Sequence, residues 1–141
     1  MRLVKHLLES KRDIHAIGPD QPVLAAIQMM ADKFVGALLV MRGEELLGIV
    51  SERDYSRKVI LKGRSSSDTP VRDIMTANLI TVAPGDTVHR CMRLVTDKHI
   101  RHLPVVENGK VVGVLSIGDL VKAVIDDQAE QLEQMQRYIS G

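Results

Sequence analysis

At 141 residues and 45% apolar composition the chain can bury a core, as one compact domain or as two small interlocked halves. Its 2% aromatic content leaves the packing to Val, Leu, Ile and Met. A net charge of +1 gives no general attraction to nucleic acid or to a membrane, and the lone Cys91 excludes an internal disulfide. No apolar run approaches the roughly 18 residues of a membrane-spanning helix. The first residues carry Arg2, Lys5 and His6 with no long apolar stretch behind them, so they do not read as a signal peptide, and the expected location is cytoplasmic.

Residues 1–12 read as a short helix, with Leu3, Val4, Leu7 and Leu8 at helical spacing; a related segment recurs at Val71–Met75. Asp13 to Ile17 is a candidate strand. Pro19-Asp20-Gln21-Pro22 turns the chain, and Pro22 suits a first helical position. Val23, Ala26, Ile27, Met30 and Phe34 form the apolar stripe of the helix that follows. Ala37 to Met41 is apolar on both faces, as a buried strand is, and Leu46 to Val50 returns after a turn at 42–45. Glu52 to Leu61 is the next helix, and 63–70 is a polar linker rich in Ser.

The same order then recurs 65 residues later without a gap. Ile17 matches Val82, Pro19 matches Pro84, Leu38 matches Leu103 and Gly48 matches Gly113. Asp86 is a candidate cap for the helix carrying Val88, Cys91, Met92 and Val95, on whose buried stripe Cys91 is a small apolar filler. Asn108-Gly109 is a two-residue hairpin turn between the strands Leu103–Val106 and Val111–Leu115. After Ile125 the chain is polar, with a thin apolar edge at Leu132, Met135 and Ile139; this suits a solvated tail helix or an oligomer contact.

The repeat concentrates chemistry where the third strand of each unit hands over to a helix. Ser51 and Asp54 stand there in the first unit, Ser116 and Asp119 in the second. A hydroxyl and a carboxylate three residues apart at a helix start can cap that helix; they can equally hold a sugar or phosphate beside its free N–H groups. A unit of roughly 60 residues has difficulty burying enough surface alone, so two units are expected to pack sheet to sheet about a pseudo-twofold axis, with one cleft for each Ser/Asp pair.

The residues Arg101-His102-Leu103-Pro104-Val105-Val106 followed by Gly113-Val114-Leu115-Ser116-Ile117-Gly118-Asp119, with their first copies at 36–40 and 48–54, resemble a tandem pair of CBS domains, the Bateman module. The resemblance implies an α+β fold of two βαββα motifs: 1–62 with its N-terminal helix, a linker at 63–70, the second motif at 71–126 and a helical tail at 127–141. It also implies a non-catalytic regulatory module that binds an adenine nucleotide: AMP, ADP or ATP, with NAD or S-adenosylmethionine as alternatives. In that family's pattern Asp54 and Asp119 hold the ribose hydroxyls, and Ser51 and Ser116 bond ribose or phosphate. Adenine lies between the first strand (Ile17; Ile80, Thr81 and Val82) and the second (Ala37 and Leu38; His102, Leu103 and Pro104). Arg101 and His102 reach the phosphate in the second cleft, and Arg53 is the nearest candidate in the first. The first copy departs from the second, with Gly36-Ala37 where Arg101-His102 stands and Leu39 in place of Pro104; Gly118 replaces Arg53. The two clefts are therefore expected to be unequal.

Other classes find less support in the sequence. His6, His15, His89, His99 and His102 make no metal-binding spacing, and no paired acid/base constellation appears, so neither an enzyme nor a metal requirement is expected. Nucleic-acid binding lacks both a basic balance and stacking aromatics. A ligand-free dimerisation module is the remaining alternative. A homodimer, with an effector protein as downstream partner, is expected on the strength of Val23, Ile27, Met30, Val88, Met92 and Val95, too many apolar residues for one small core.

Overall fold

The computed structural model describes residues 2–10 and 13–140. The chain divides into two compact units: Ile14–Leu79, and the segment up to Asp13 together with 80 onwards. Both are mixed α+β, and each carries a small sheet.

In the unit Ile14–Leu79, strand β1 (Ala16–Ile17) leads through the Pro19–Pro22 turn to helix α2 (Val23–Lys33). Pro22 takes the N-cap position in extended conformation, so the helix starts one residue later than the sequence suggests. β2 (Ala37–Arg42) and β3 (Glu45–Ser51) form an antiparallel hairpin, and β1 pairs in parallel with β2. Helix α3 (Glu52–Tyr55) continues as a wider π-type stretch over Ser56–Ile60. A short 3₁₀ turn at Val71–Asp73 closes the unit. Its core holds Ile17, Val23, Met30, Leu38, Val50 and Ile74.

The other unit repeats this plan with α4 (Val88–Asp97), β4 (His102–Glu107), β5 (Lys110–Ser116) and the long α5 (Ile117–Ser140). The counterpart of β1 shrinks to one bridge, Val82 beside Val105. Asn108 and Gly109 both adopt positive φ (53° and 77°), as a tight hairpin turn between right-twisted strands requires. Thr87 rather than Asp86 caps α4: its hydroxyl accepts the Arg90 N–H at 3.0 Å, while Asp86 Oδ2 accepts from Ala83 N–H at 2.7 Å. Cys91 is fully buried, and burial, reinforced by the nearby Asp86 carboxylate, pushes its thiol up to about 11.

Chain order does not decide which unit the lead-in segments join. Helix α1 (Val4–Leu8) was expected to accompany the first motif, yet Val4 is buried among Val88, Cys91, Leu103 and Leu115 of the second. The Val4 and Lys5 N–H groups donate to the carbonyls of Asp86 and Pro84, each at 2.9 Å, and Arg2 O accepts from Val88 N–H at 3.1 Å. Val71 and Ile74 mirror this in the first-motif unit. Val71 and Arg72 N–H donate to Gln21 and Pro19 O, each at 2.9 Å, and Thr69 O accepts from Val23 N–H at 2.8 Å. Each lead-in thus supplies the backbone partners that the turn before α2 or α4 lacks. The part of the expected first helix at residues 11 and 12 lies outside the described residues.

Two further expectations change. Phe34 leaves the apolar stripe: it ends α2 at φ 55° and is 94% exposed. His99 ends the matching helix region at φ 54°. The left-handed turn swings the side chain away from the core face. Of the residues expected to drive dimerisation, Val23, Met30, Val88 and Val95 are buried inside the units, while Ile27 and Met92 are partly buried against them.

Candidate functional site

In each unit the last strand residue and the first helical turn form one reciprocal cap. Ser51 has extended backbone (φ −128°, ψ 166°), which ends β3 and frees its side chain to face the helix start. Its Oγ accepts the Asp54 N–H at 3.2 Å. Asp54 Oδ2 accepts both the Ser51 N–H at 2.9 Å and the Ser51 hydroxyl at 3.0 Å. The second unit repeats the arrangement: Ser116 Oγ accepts Asp119 N–H at 3.2 Å, and Asp119 Oδ2 accepts from Ser116 N–H at 2.7 Å and Ser116 Oγ at 2.9 Å. The capping role anticipated for these residues is therefore realised in both repeats. It fixes the orientation of each carboxylate through Oδ2 alone, so the second carboxylate oxygen takes no part in the cap.

The hairpin brings the start of the second strand to the same place. Ser51 stands opposite Ala37, and Ser116 opposite His102. Glu52 N–H donates to Gly36 O at 3.0 Å and Ile117 N–H to Arg101 O at 2.8 Å, which ties each helix start to the residue before the strand. One end of each sheet therefore gathers Ala37, Ser51 and Asp54, or His102, Ser116 and Asp119. Arg53 and Gly118 are exposed in the first helical turn, and Arg101 is exposed at the strand's edge.

Other expected site residues turn away. Leu38 and Leu103 are buried core, and so is Pro104. Ile17 and Val82 belong to the two cores as well. The first and second strands are hydrogen-bonded to each other there: Leu39 N–H to His15 O at 3.0 Å, Val82 N–H to Pro104 O at 3.0 Å and Val106 N–H to Val82 O at 2.8 Å. A purine therefore has no room between Ile17 and Val40 or between Val82 and Val105, because ladder spacing of about 4.8 Å excludes it. The half-buried Ile80 and the exposed Thr81 precede that closed stretch.

Lys58 joins the first site without having been singled out in the sequence. Its Nζ lies 3.2 Å from Asp54 Oδ1 and donates to the Ile74 carbonyl at 2.9 Å. The (i, i+4) spacing from Asp54 was the available signal. The matching position in the second repeat is the buried Ala123. The carboxylate of the first site thus has a cation on its own helix that the second site lacks at that position. Among the described residues, no three His, Cys, Asp or Glu side chains gather as metal ligands would, and no helix is long and apolar enough to cross a membrane.

The profile of the CBS domain matches residues 4–60 and 71–126. The chain is 47% identical over 127 residues to the mitochondrial CBS domain-containing protein CBSX3 of Arabidopsis thaliana; the match covers 86% of this chain and 62% of that relative's length. Its fold superposes on a CBS-domain protein of Burkholderia ambifaria with a TM-score of 0.87 at 47% identity, covering 90% of this chain and 96% of that one. CBSX2, solved in complex with AMP, gives a TM-score of 0.72 at 26% identity, covering 91% of this chain and 99% of that one. With both repeats matched, the chain belongs to the CBS-domain family as a tandem pair of CBS domains.

Proposed function

We propose that this CBS pair is a non-catalytic regulatory module that senses an adenosine nucleotide at the Ser/Asp end of each repeat. The observation that carries the reading is the duplicated, pre-oriented carboxylate. Asp54 and Asp119 are held by identical capping contacts at the edge of a hairpin. A fixed carboxylate can accept from both vicinal hydroxyls of a ribose at little ordering cost. The AMP bound by CBSX2 supports the same ligand class here. In this reading Ser51 and Ser116 add contacts to ribose or phosphate. The backbone around Ala37, Ile80, Thr81 and His102 reads the adenine edge. Arg101 and His102 take the phosphate in the second site; Arg53 and Lys58 are the cations of the first.

The test must separate capping from ligand binding. Asp119→Asn keeps an acceptor for the Ser116 N–H, so the cap survives, but it removes the charge that strengthens hydrogen bonds from sugar hydroxyls. Calorimetry with AMP is expected to show affinity at the second site falling about ten- to a hundred-fold, corresponding to about 1.5–3 kcal/mol for a charge-assisted bond. Asp54→Asn does the same at the first site. Unchanged affinity in both variants would remove the ribose role. If wild-type protein takes up none of AMP, ADP, ATP, NAD or S-adenosylmethionine, the ligand-free dimerisation module is the better description.

A further inference from the structure

Of the large apolar residues that α5 leaves in solvent, all but Ile117 and Tyr138 lie on one line. Val121, Ile125, Leu132, Met135 and Ile139 are 41%, 57%, 57%, 61% and 79% exposed. With Gln128 they follow one another at alternating spacings of four and three along the sequence. That is the 3.5-residue repeat of a two-helix seam, which stays in line only against another supercoiled helix. The helix meets its own unit through a different side, where Leu120 and Ala123 are buried and Val124 packs on the same core. From Gln128 to Ser140 every residue is exposed. A lone stretch of that length is only marginally helical in water, so a partner on the seam would stabilise it.

The pattern also identifies the partner. Every charge beyond Ile125 lies away from the seam, at Asp126, Asp127, Glu130, Glu133 and Arg137, whereas the flanking positions Ala129, Gln131, Gln136 and Tyr138 are neutral. Arg2 draws the acids further back, bonding Asp127 and, at 2.9 Å, Glu130, while Arg137 pairs with Glu133. Two identical helices can therefore approach without like-charge repulsion, and an anionic membrane finds no basic face to attract it. Gln128 narrows the choice again. Opposite an apolar side chain its amide would be buried unpaired; opposite Gln128 of an identical helix in the same register the two amides can bond each other. We propose that α5 is a self-association element through which two copies of this chain form a parallel, in-register coiled coil along Val121–Ile139.

Sedimentation equilibrium on the full chain tests this. Wild type is expected to be dimeric at micromolar concentration. Leu132→Glu combined with Met135→Glu is expected to raise the dissociation constant at least about a hundred-fold. Gln128→Leu, which replaces the one polar layer, is expected to tighten the dimer, a gain that unfolding could not imitate. Met135→Cys is expected to oxidise to a covalent dimer, since parallel register brings the two thiols together and buried Cys91 cannot compete. The proposal is overturned by a wild type that stays monomeric, including one that floats with lipid vesicles or is captured only by a foreign helix. It is equally overturned by a double glutamate variant that stays folded by circular dichroism and dimerises as before, by a Gln128→Leu dimer no tighter than wild type, or by a dimeric Met135→Cys that does not cross-link.

Discussion

The single cysteine shows how one side chain's surroundings set its chemistry. Cys91 sits on the inner face of α4, and burial raises its pKa to about 11. The unfolded thiol ionises near its ordinary value of about 8.5. Between these two values the unfolded chain has lost a proton that the folded chain keeps, so the stability that the neutral thiol supports is intact below the lower value. It declines as pH rises toward the upper one. Denaturant midpoints of wild type and Cys91→Ala, compared from pH 8 to pH 11, should show this additional alkaline loss in wild type alone. At pH 8 the native thiol should also react with iodoacetamide at least about a hundred-fold more slowly than the unfolded one, because the thiolate is the nucleophile.

At the level of elements, the hairpins of the two repeats are covered by their lead-ins with different tolerance for change. A Cβ built on Gly48 would lie 2.7 Å from the Thr76 carbonyl oxygen and 2.9 Å from Met75 Sδ. Thr76 cannot retreat without breaking its pair of backbone bonds with Ile49, at 2.8 and 3.0 Å. A Cβ on Gly113 would lie 2.5 Å from Leu8 Cδ2, the movable end of a half-buried side chain. Gly48→Ala should therefore cost about 2–3 kcal/mol and Gly113→Ala about 1 kcal/mol or less, since overpacking is expensive where backbone must move. Equal losses in chemical denaturation would contradict this account of the contacts.

For the molecule as a whole, the residence of α1 has a consequence that chain order hides. Val4 lies at the amino end but is fully buried in the core of the second repeat. Val4→Ala should lower stability by about 2 kcal/mol through the lost methyl groups and the cavity they leave. Hydrogen exchange should locate that loss in the unit from Ile80 onward, where Leu103 and Leu115 reside, while amides between Ile14 and Leu79 keep more of their protection. Loss of protection confined to the first repeat would contradict the grouping.

How far the sequence could be read depended on the range of the interactions involved. The repeat, the capping Ser and Asp pairs, the Asn108-Gly109 turn and the buried Cys91 were all legible. Each rests on periodicity, turn chemistry or capping within a few residues, where backbone sterics act. The candidate site was legible to the same extent: its Ser and Asp stand at a strand end and a helix start that local rules define. Tertiary structure alone decided which repeat each lead-in would cover, because Val4-Leu7-Leu8 and Val71-Ile74-Met75 present the same pattern and either could fill either core. It also decided that Ile17 and Val82 face inward across hydrogen-bonded strands and that Lys58 reaches Ile74 as well as Asp54. Leu24 of α2 and Ile60 and Leu61 keep some apolar surface in solvent, but the longest exposed apolar line lies on α5, because the helix end beyond its own core has no side chains to meet.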